Sequence, residues 1–248
     1  MSERRSQPAG NGAHRGPPTV AEVRVAEGVE SLYPFLYAVD SDPESVLAEV
    51  RRSTVEKATE IVALRRRLAE EQGERLAACA AEMAARFEAG GRLLTFGNGG
   101  SSTDAADIAQ LFLQPRTGTP LPAFCLGSTV AVLTALSNDV GFDVVYARQV
   151  AAFGRAGDMV FGISTSGGSR NVLRAFEEAR RRGLLTIGMA GYDGGQMAES
   201  GLVDHLFVVP SASVHRIQEA QTTAYHVLWT LVQEALGTEA DGAAPGAG

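Results

Sequence analysis

At 248 residues with 45% hydrophobic content, the chain can bury one good-sized core with a helical appendage besides. A formal charge of −7 and a pI near 5.2, with no basic patch, exclude nucleic acid as the default partner. Cys79 and Cys125 sit among apolar neighbours and make neither a C-x-x-C site nor a disulfide framework, and no apolar run has membrane-spanning length or signal-peptide character, so the expectation is a cytoplasmic protein away from membranes.

Residues 1–20 are polar and rich in Gly and Pro, which reads as a disordered tail. An N-terminal extension, 21–90, follows. It carries an aromatic patch, Leu32-Tyr33-Pro34-Phe35-Leu36-Tyr37, that must pack somewhere. Asp42-Pro43 caps and starts a helix running past Arg52, and helical periodicity continues from Ala63 to Glu88 before Gly90-Gly91. So much amphipathic helix predicts an N-terminal helical pair used for self-association, or more plainly an extension packed on its own domain. The runs Arg65-Arg66-Arg67 and Arg180-Arg181-Arg182 fall on helical patterns, as solvated faces or subunit contacts.

From Arg92 the pattern changes, and 91–236 reads as one α/β domain before a disordered tail at 237–248. Leu93–Phe96 is a short apolar strand leading into Gly97-Asn98-Gly99-Gly100-Ser101-Ser102, then a helix from about Thr103 to Leu113. Strands are expected at Leu121–Leu126, Met159–Ile163, Leu185–Ala190 and His205–Val209. Helices are expected at Val130–Leu136, Val145–Phe153, between Asn171 and Gly183, briefly after Gly194-Gly195, and at Ile217–Leu236. Apolar strands alternating with helices mean a five-stranded parallel sheet covered on both faces. Ligands of such sheets bind beyond the carboxyl ends of the strands, where both glycine-rich loops lie.

The second loop is the more informative. Ser164, Thr165, Ser166 and Ser169 surround Gly167 and Gly168 between a strand end and a helix start. First-turn amides and the helix dipole favour an anion there, glycines let the backbone close on its oxygens, and hydroxyls add neutral donors. No Lys lies in the loop and G-x-x-x-x-G-K-[ST] is absent, so a sugar monophosphate suits it better than a polyphosphate. An ordinary Ser-rich N-cap and turn is the blander reading.

The blocks F-G-N-G-G-S, L-S-N-D-V-G-F, Y-A-R-Q-V, G-I-S-T-S-G-G-S-R-N-V-L, T-I-G-M-A-G-Y-D-G-G, D-H-L-F-V-V-P-S and R-I-Q-E-A, in order over roughly Glu44 to Leu236, resemble the phosphoheptose isomerases. These are sugar-isomerase (SIS) domain proteins that interconvert sedoheptulose 7-phosphate and an aldoheptose 7-phosphate. The resemblance implies a SIS-type three-layer α/β sandwich over 91–236 and a homotetramer, or dimer, with sites between subunits. It implies phosphate binding by Ser164, Thr165, Ser166 and Ser169, and sugar binding by Asn98, Gly99, Gly100, Ser101, Asp139 and Gln218. Gln218 and His226 match the family's active-site glutamine and histidine, and their eight-residue separation lets one helix face present both.

One helix departs from the pattern. Where the family carries a zinc-binding histidine and, a turn later, a catalytic glutamate, this chain has Asp107 and Leu111. Leucine cannot carry the proton that an aldose–ketose isomerase must move between neighbouring carbons. Asp107 and His226 are the candidate acid–base groups, and Asp107, Gln218 and His226 the inherited zinc candidates, a poor set for a metal that takes three or four Cys, His or carboxylate ligands. Four readings follow: a phosphosugar isomerase; a catalytically impaired sugar-phosphate sensor; a protein-interaction scaffold, as in a replication-initiator-associating relative; and an isomerase of another phosphosugar. Restoring the family residues with Asp107→His and Leu111→Glu distinguishes the first from the second. Zinc-dependent isomerisation that appears or rises, followed by NMR, would make this helix the limit on activity, whereas a double variant that binds sugar and zinc yet stays inert would not.

Overall fold

The computed structural model describes residues 43–237. The tail expected at 1–20, the aromatic patch at 32–37 and all but the first residue of the tail at 237–248 lie outside them. The chain falls into two compact units, Met1–Val55 and Glu56–Gly248. The first described element, α1, is Pro43–Glu88, an unbroken helix of 46 residues. It replaces the helical pair expected here. No Gly or Pro interrupts 53–60, and the single Gly73 costs about 1 kcal/mol, too little to end a helix this long.

The strands are β1 (Leu93–Gly97), β2 (Ala123–Cys125), β3 (Met159–Ser164), β4 (Leu185–Gly191) and β5 (His205–Val209), all parallel in the order β2-β1-β3-β4-β5. Between and after them run α2 (Gly100–Leu113), α3 (Val130–Asp139), α4 (Val145–Phe153), α5 (Arg170–Arg181), α6 (Gly195–Glu199) and α7 (Val214–Ala235). The expected five-stranded α/β architecture is present. β2 is shorter than its apolar run because Pro120 and Pro122 bring no N–H to the ladder.

Period-two alternation sends strand side chains to opposite faces. Leu93, Phe161, Ile163, Ile187, Met189 and Phe207 pack with Met83 and Phe87 of α1, Phe112 of α2 and Leu228 of α7. Leu94, Phe96 and Val160 pack with Tyr146 and Val150 of α4 and Phe176 of α5. The result is three layers. β1 lies between β2 and β3, so the chain leaves it on one side and returns on the other. That switch of direction opens a crevice beyond the carboxyl ends of β1 and β3, where both glycine-rich loops emerge.

The two site-bearing strands are tied at their other ends. Buried Asp158, just before β3, accepts Arg92 N–H at 2.9 Å, Arg92 Nη2 at 2.6 Å and Arg155 N–H at 3.0 Å. Burial disfavours its charge, but Arg92 and these donors outweigh burial and hold the carboxyl below the usual range. A lowered folded value means the contribution is present above the unfolded Asp value and is lost as pH falls through the folded one. Asp158→Asn should therefore cost about 2 kcal/mol at neutral pH. Thermal denaturation should show the gap from wild type narrowing in acid; a pH-independent gap would assign the loss to packing.

Candidate functional site

β3 ends at Ser164, whose hydroxyl donates to Ser169 Oγ at 2.9 Å. Ser169 occupies the N-cap position of α5, yet its hydroxyl caps no amide. Having accepted from Ser164, it keeps its own proton for a ligand. Ser166 Oγ takes the Gly168 N–H at 3.2 Å, and Thr165 Oγ1 lies 3.4 Å from Ser101 Oγ at the start of α2. These four hydroxyls, with Asn98 and Ser101, line a cavity of about 230 Å³ whose wall Tyr192 and Val214 extend. No residue lining it carries a charge. Arg170 instead pairs with Asp143 at 2.9 Å, on the exposed side of α5. The first helical bond of α5 runs from Val172 N–H to the Ser169 carbonyl, so the amides of Arg170 and Asn171 have no carbonyl inside the helix. Attraction for an anion therefore comes from oriented dipoles and hydroxyls.

The loop is held by backbone approach. A Cβ on Gly167, where φ is 65°, would lie 1.9 Å from the Gly194 carbonyl oxygen, and one on Gly195 would lie 2.4 Å from that of Ser166. Gly191 N–H donates to the Thr165 carbonyl and Met197 N–H to that of Gly167, both at 2.9 Å. Next to this seam Tyr192 has φ 53°, the one positive φ outside glycine among the described residues. Sequence reading gave Tyr192 no role beyond its place in the T-I-G-M-A-G-Y-D-G-G block. Its strained backbone and its place in the cavity wall mark it as a site residue.

The loop after β1 is fixed to the same cavity. The amides of Asn98 and Asn171 exchange two hydrogen bonds of 2.8 Å each. Tyr146 O–H donates to the Gly97 carbonyl, with its phenol pushed up to about 12 by burial and then by Cys125. Gly99 adopts φ 54°, and a Cβ on Gly100 would meet Gln218 Nε2 at 2.2 Å. Asn98, Ser101 and the four phosphate-loop residues thus converge, with Gly99, Gly100 and Gln218 alongside. Asp139 does not join them; it is exposed at the end of α3, accepting from Asn138 Nδ2 at 2.9 Å.

Beyond Gly100 and Gln218, α2 and α7 form a polar seam. Tyr225 O–H donates to Asp107 Oδ2 at 2.6 Å, and burial first, then Asp107, push the phenol up. His226 is exposed and stacks on Tyr225, with ring centroids 4.9 Å apart. Its Nδ1 lies 2.9 Å from the Thr222 carbonyl, which can only accept, so Nδ1 donates. Neither His226 nor Gln218 is among the residues lining the cavity, although Gln218 lies against Gly100. Leu111 packs against the core.

Zinc is the family's metal by resemblance, and the donors here do not fit it. Among the described residues no three His, Cys, Asp or Glu side chains are grouped for a metal. One Asp107 oxygen already accepts a phenol, Gln218 lies against Gly100, and Leu111 offers no donor. A further acid, unremarked in the sequence, stands in the seam. Asp104 has an enclosed Oδ2 with no hydrogen-bond partner, and burial, then the charge of Asp107, push its carboxyl up to about 6.

Residues 58–191, which include both glycine-rich loops, match the model of the SIS domain. The chain belongs to the SIS domain family, among relatives named phosphoheptose isomerase. One from Roseiflexus sp. is 43% identical over 178 residues, covering 71% of this chain and 89% of the relative. Another from Thermodesulfovibrio yellowstonii is 46% identical over 149 residues, 59% of this chain and 73% of the relative. The solved phosphoheptose isomerase of Neisseria gonorrhoeae superposes with TM-score 0.70 at 33% identity, covering 75% of this chain and 99% of that one. The α/β sandwich described above is therefore the SIS fold.

Gly167→Ala tests the cradle of this SIS domain. The variant should keep its far-UV circular dichroism yet lose at least about tenfold in affinity for inorganic phosphate by calorimetry, because a positive φ and a backbone clash displace the donors together. Undiminished affinity would remove the loop from the phosphate site.

Proposed function

We propose that this SIS-domain protein is an aldose–ketose isomerase of a heptose 7-phosphate, sedoheptulose 7-phosphate being the ketose. The observation that carries the reading is the uncharged cavity with four converging hydroxyls, in a chain spanning most of the length of relatives named phosphoheptose isomerase. Ser164, Thr165, Ser166 and Ser169 hold the phosphate, with α5 supplying the field. Asn98, Gly99, Gly100, Ser101 and Gln218 direct the sugar along α2. Chemistry requires one proton to move between adjacent carbons, and the α2–α7 seam with Asp107 and His226 is where groups able to move it lie.

Asp139 and His226 are exposed in a single chain. In a homotetramer or dimer with sites between subunits, such surface residues would come up to the sugar. We place the protein in the cytoplasm; among the described residues no helix is long and apolar enough to cross a membrane. A second reading, a sugar-phosphate sensor or protein scaffold, is favoured by Asp107 being engaged by Tyr225 and Leu111 by the core.

The deciding experiment is NMR of the protein with sedoheptulose 7-phosphate in D₂O, with added zinc and again with a chelator. Deuterium entering the sugar, or the aldose appearing, is the expected result; line broadening without exchange would select the sensor. Loss of turnover on chelation would restore a metal that the donor set argues against. Ser169→Ala, which removes one donor, should raise KM about tenfold with kcat little changed, and an unchanged KM would sink that residue's assignment.

A further inference from the structure

Resting on the isomerase reading, we propose that Asp104 is the base that moves the proton between the two carbons.

Position is the first argument. Ser101 lines the cavity and its hydroxyl lies 3.4 Å from Thr165 Oγ1 in the phosphate cradle. Asp104 follows three residues later on the same face of α2, about one 5.4 Å turn further from the cradle. A heptose anchored by its terminal phosphate must extend past Ser101 before its carbonyl end is reached. Asp107 lies another turn on, exposed, with Oδ2 taken by the Tyr225 phenol. Along α2, Asp104 is thus the carboxylate nearest the cradle.

The second argument is an unmet need. Oδ2 of Asp104 is enclosed and has no donor, whereas buried Asp158 accepts from Arg92 and Arg155. An enclosed carboxylate oxygen without a partner is costly, and a site that exchanges protons with a ligand accounts for one. The third is electrostatic. Burial first, and Asp107 second, push the carboxyl up to about 6, where a carboxylate is ionised at neutral pH yet basic enough to work. The titratable groups coupled to it are Asp107 on its own helix and Tyr225 on α7. β1 and β3, beneath α2, contain no titratable side chain, and β2 contains only Cys125.

The step balances without a co-reactant. Asp104 takes the proton from the carbon beside the carbonyl. The C–H pair becomes the carbon–carbon double bond, and the carbonyl π pair moves onto oxygen. The hydroxyl proton passes between the two neighbouring oxygens, and Asp104 returns its proton to the adjacent carbon.

The test uses the full chain, sedoheptulose 7-phosphate and D₂O, with chelator present throughout. Asp104→Asn should lower kcat by about 10²-fold or more while KM and calorimetric affinity for inorganic phosphate stay within about threefold. Wild-type kcat/KM should fall below about pH 6 as the base is protonated. Asp104→Glu, which keeps a carboxylate on a longer arm, should recover part of kcat and retain that acid limb; it also decides the matter if the Asn variant does not fold. Wild-type exchange surviving in Asp104→Asn overturns the proposal and leaves the isomerase reading standing. So does an acid limb absent from both wild type and Asp104→Glu. A wild type that binds phosphate and exchanges no deuterium with chelator present overturns the proposal, and one that exchanges none with added zinc either overturns the isomerase reading as well.

Discussion

The site depends on two loops that approach so closely that neither has room for a side chain. Gly167 and Gly194–Gly195 touch through backbone atoms, and any Cβ on Gly167 would lie 1.9 Å from a carbonyl oxygen. That contact holds the turn after β3, and so the directions of Ser164, Ser166 and Ser169. It also explains Tyr192, kept at positive φ between a strand end and a glycine turn. With the reciprocal Asn98–Asn171 pair fixing the other loop, the cavity exists before any ligand arrives. Little ordering is then left for binding to impose.

The same geometry sets the electrostatics. An anion site can be built from cations or from dipoles, and this cavity offers dipoles. Arg170, the nearest arginine in sequence, turns outward to Asp143. The hydroxyls and first-turn amides provide directed donors without a strong, long-ranged positive field. A site of this kind suits a monophosphate that must be released after turnover. Away from it the seam between α2 and α7 is acidic, with Asp104 and Asp107 one turn apart. The partial burial of Asp104, and after it the charge of Asp107, raise the proton affinity of Asp104.

Much of this was legible in the chain itself. Strand runs such as Met159–Ile163 and Leu185–Ala190 differ by a single residue from β3 and β4, because a buried parallel strand is apolar throughout. The hydroxyl loop after β3 needed only local information: glycines, hydroxyls, a strand before and a helix after. His226 was less legible. Helical spacing places it two turns from Gln218, but which of them comes up to Gly100 depends on where α2 lies, and periodicity carries nothing about that. The supposed break in α1 failed for a related reason, since a helix with no Gly or Pro at the expected break continues when packing along one side supports it.

By itself, then, the sequence determined the α/β alternation, the two glycine-rich loops and the hydroxyl set, because each is written in neighbouring residues through periodicity, turn chemistry and capping. Tertiary structure alone decided that Asn98 faces Asn171, that Gln218 covers Gly100, that Tyr225 engages Asp107, and that Asp104 is left enclosed without a donor. Those partners lie far apart along the chain and meet only through strand order and helix packing. Burial and electrostatic environment belong to the assembled layers, and no local pattern encodes them.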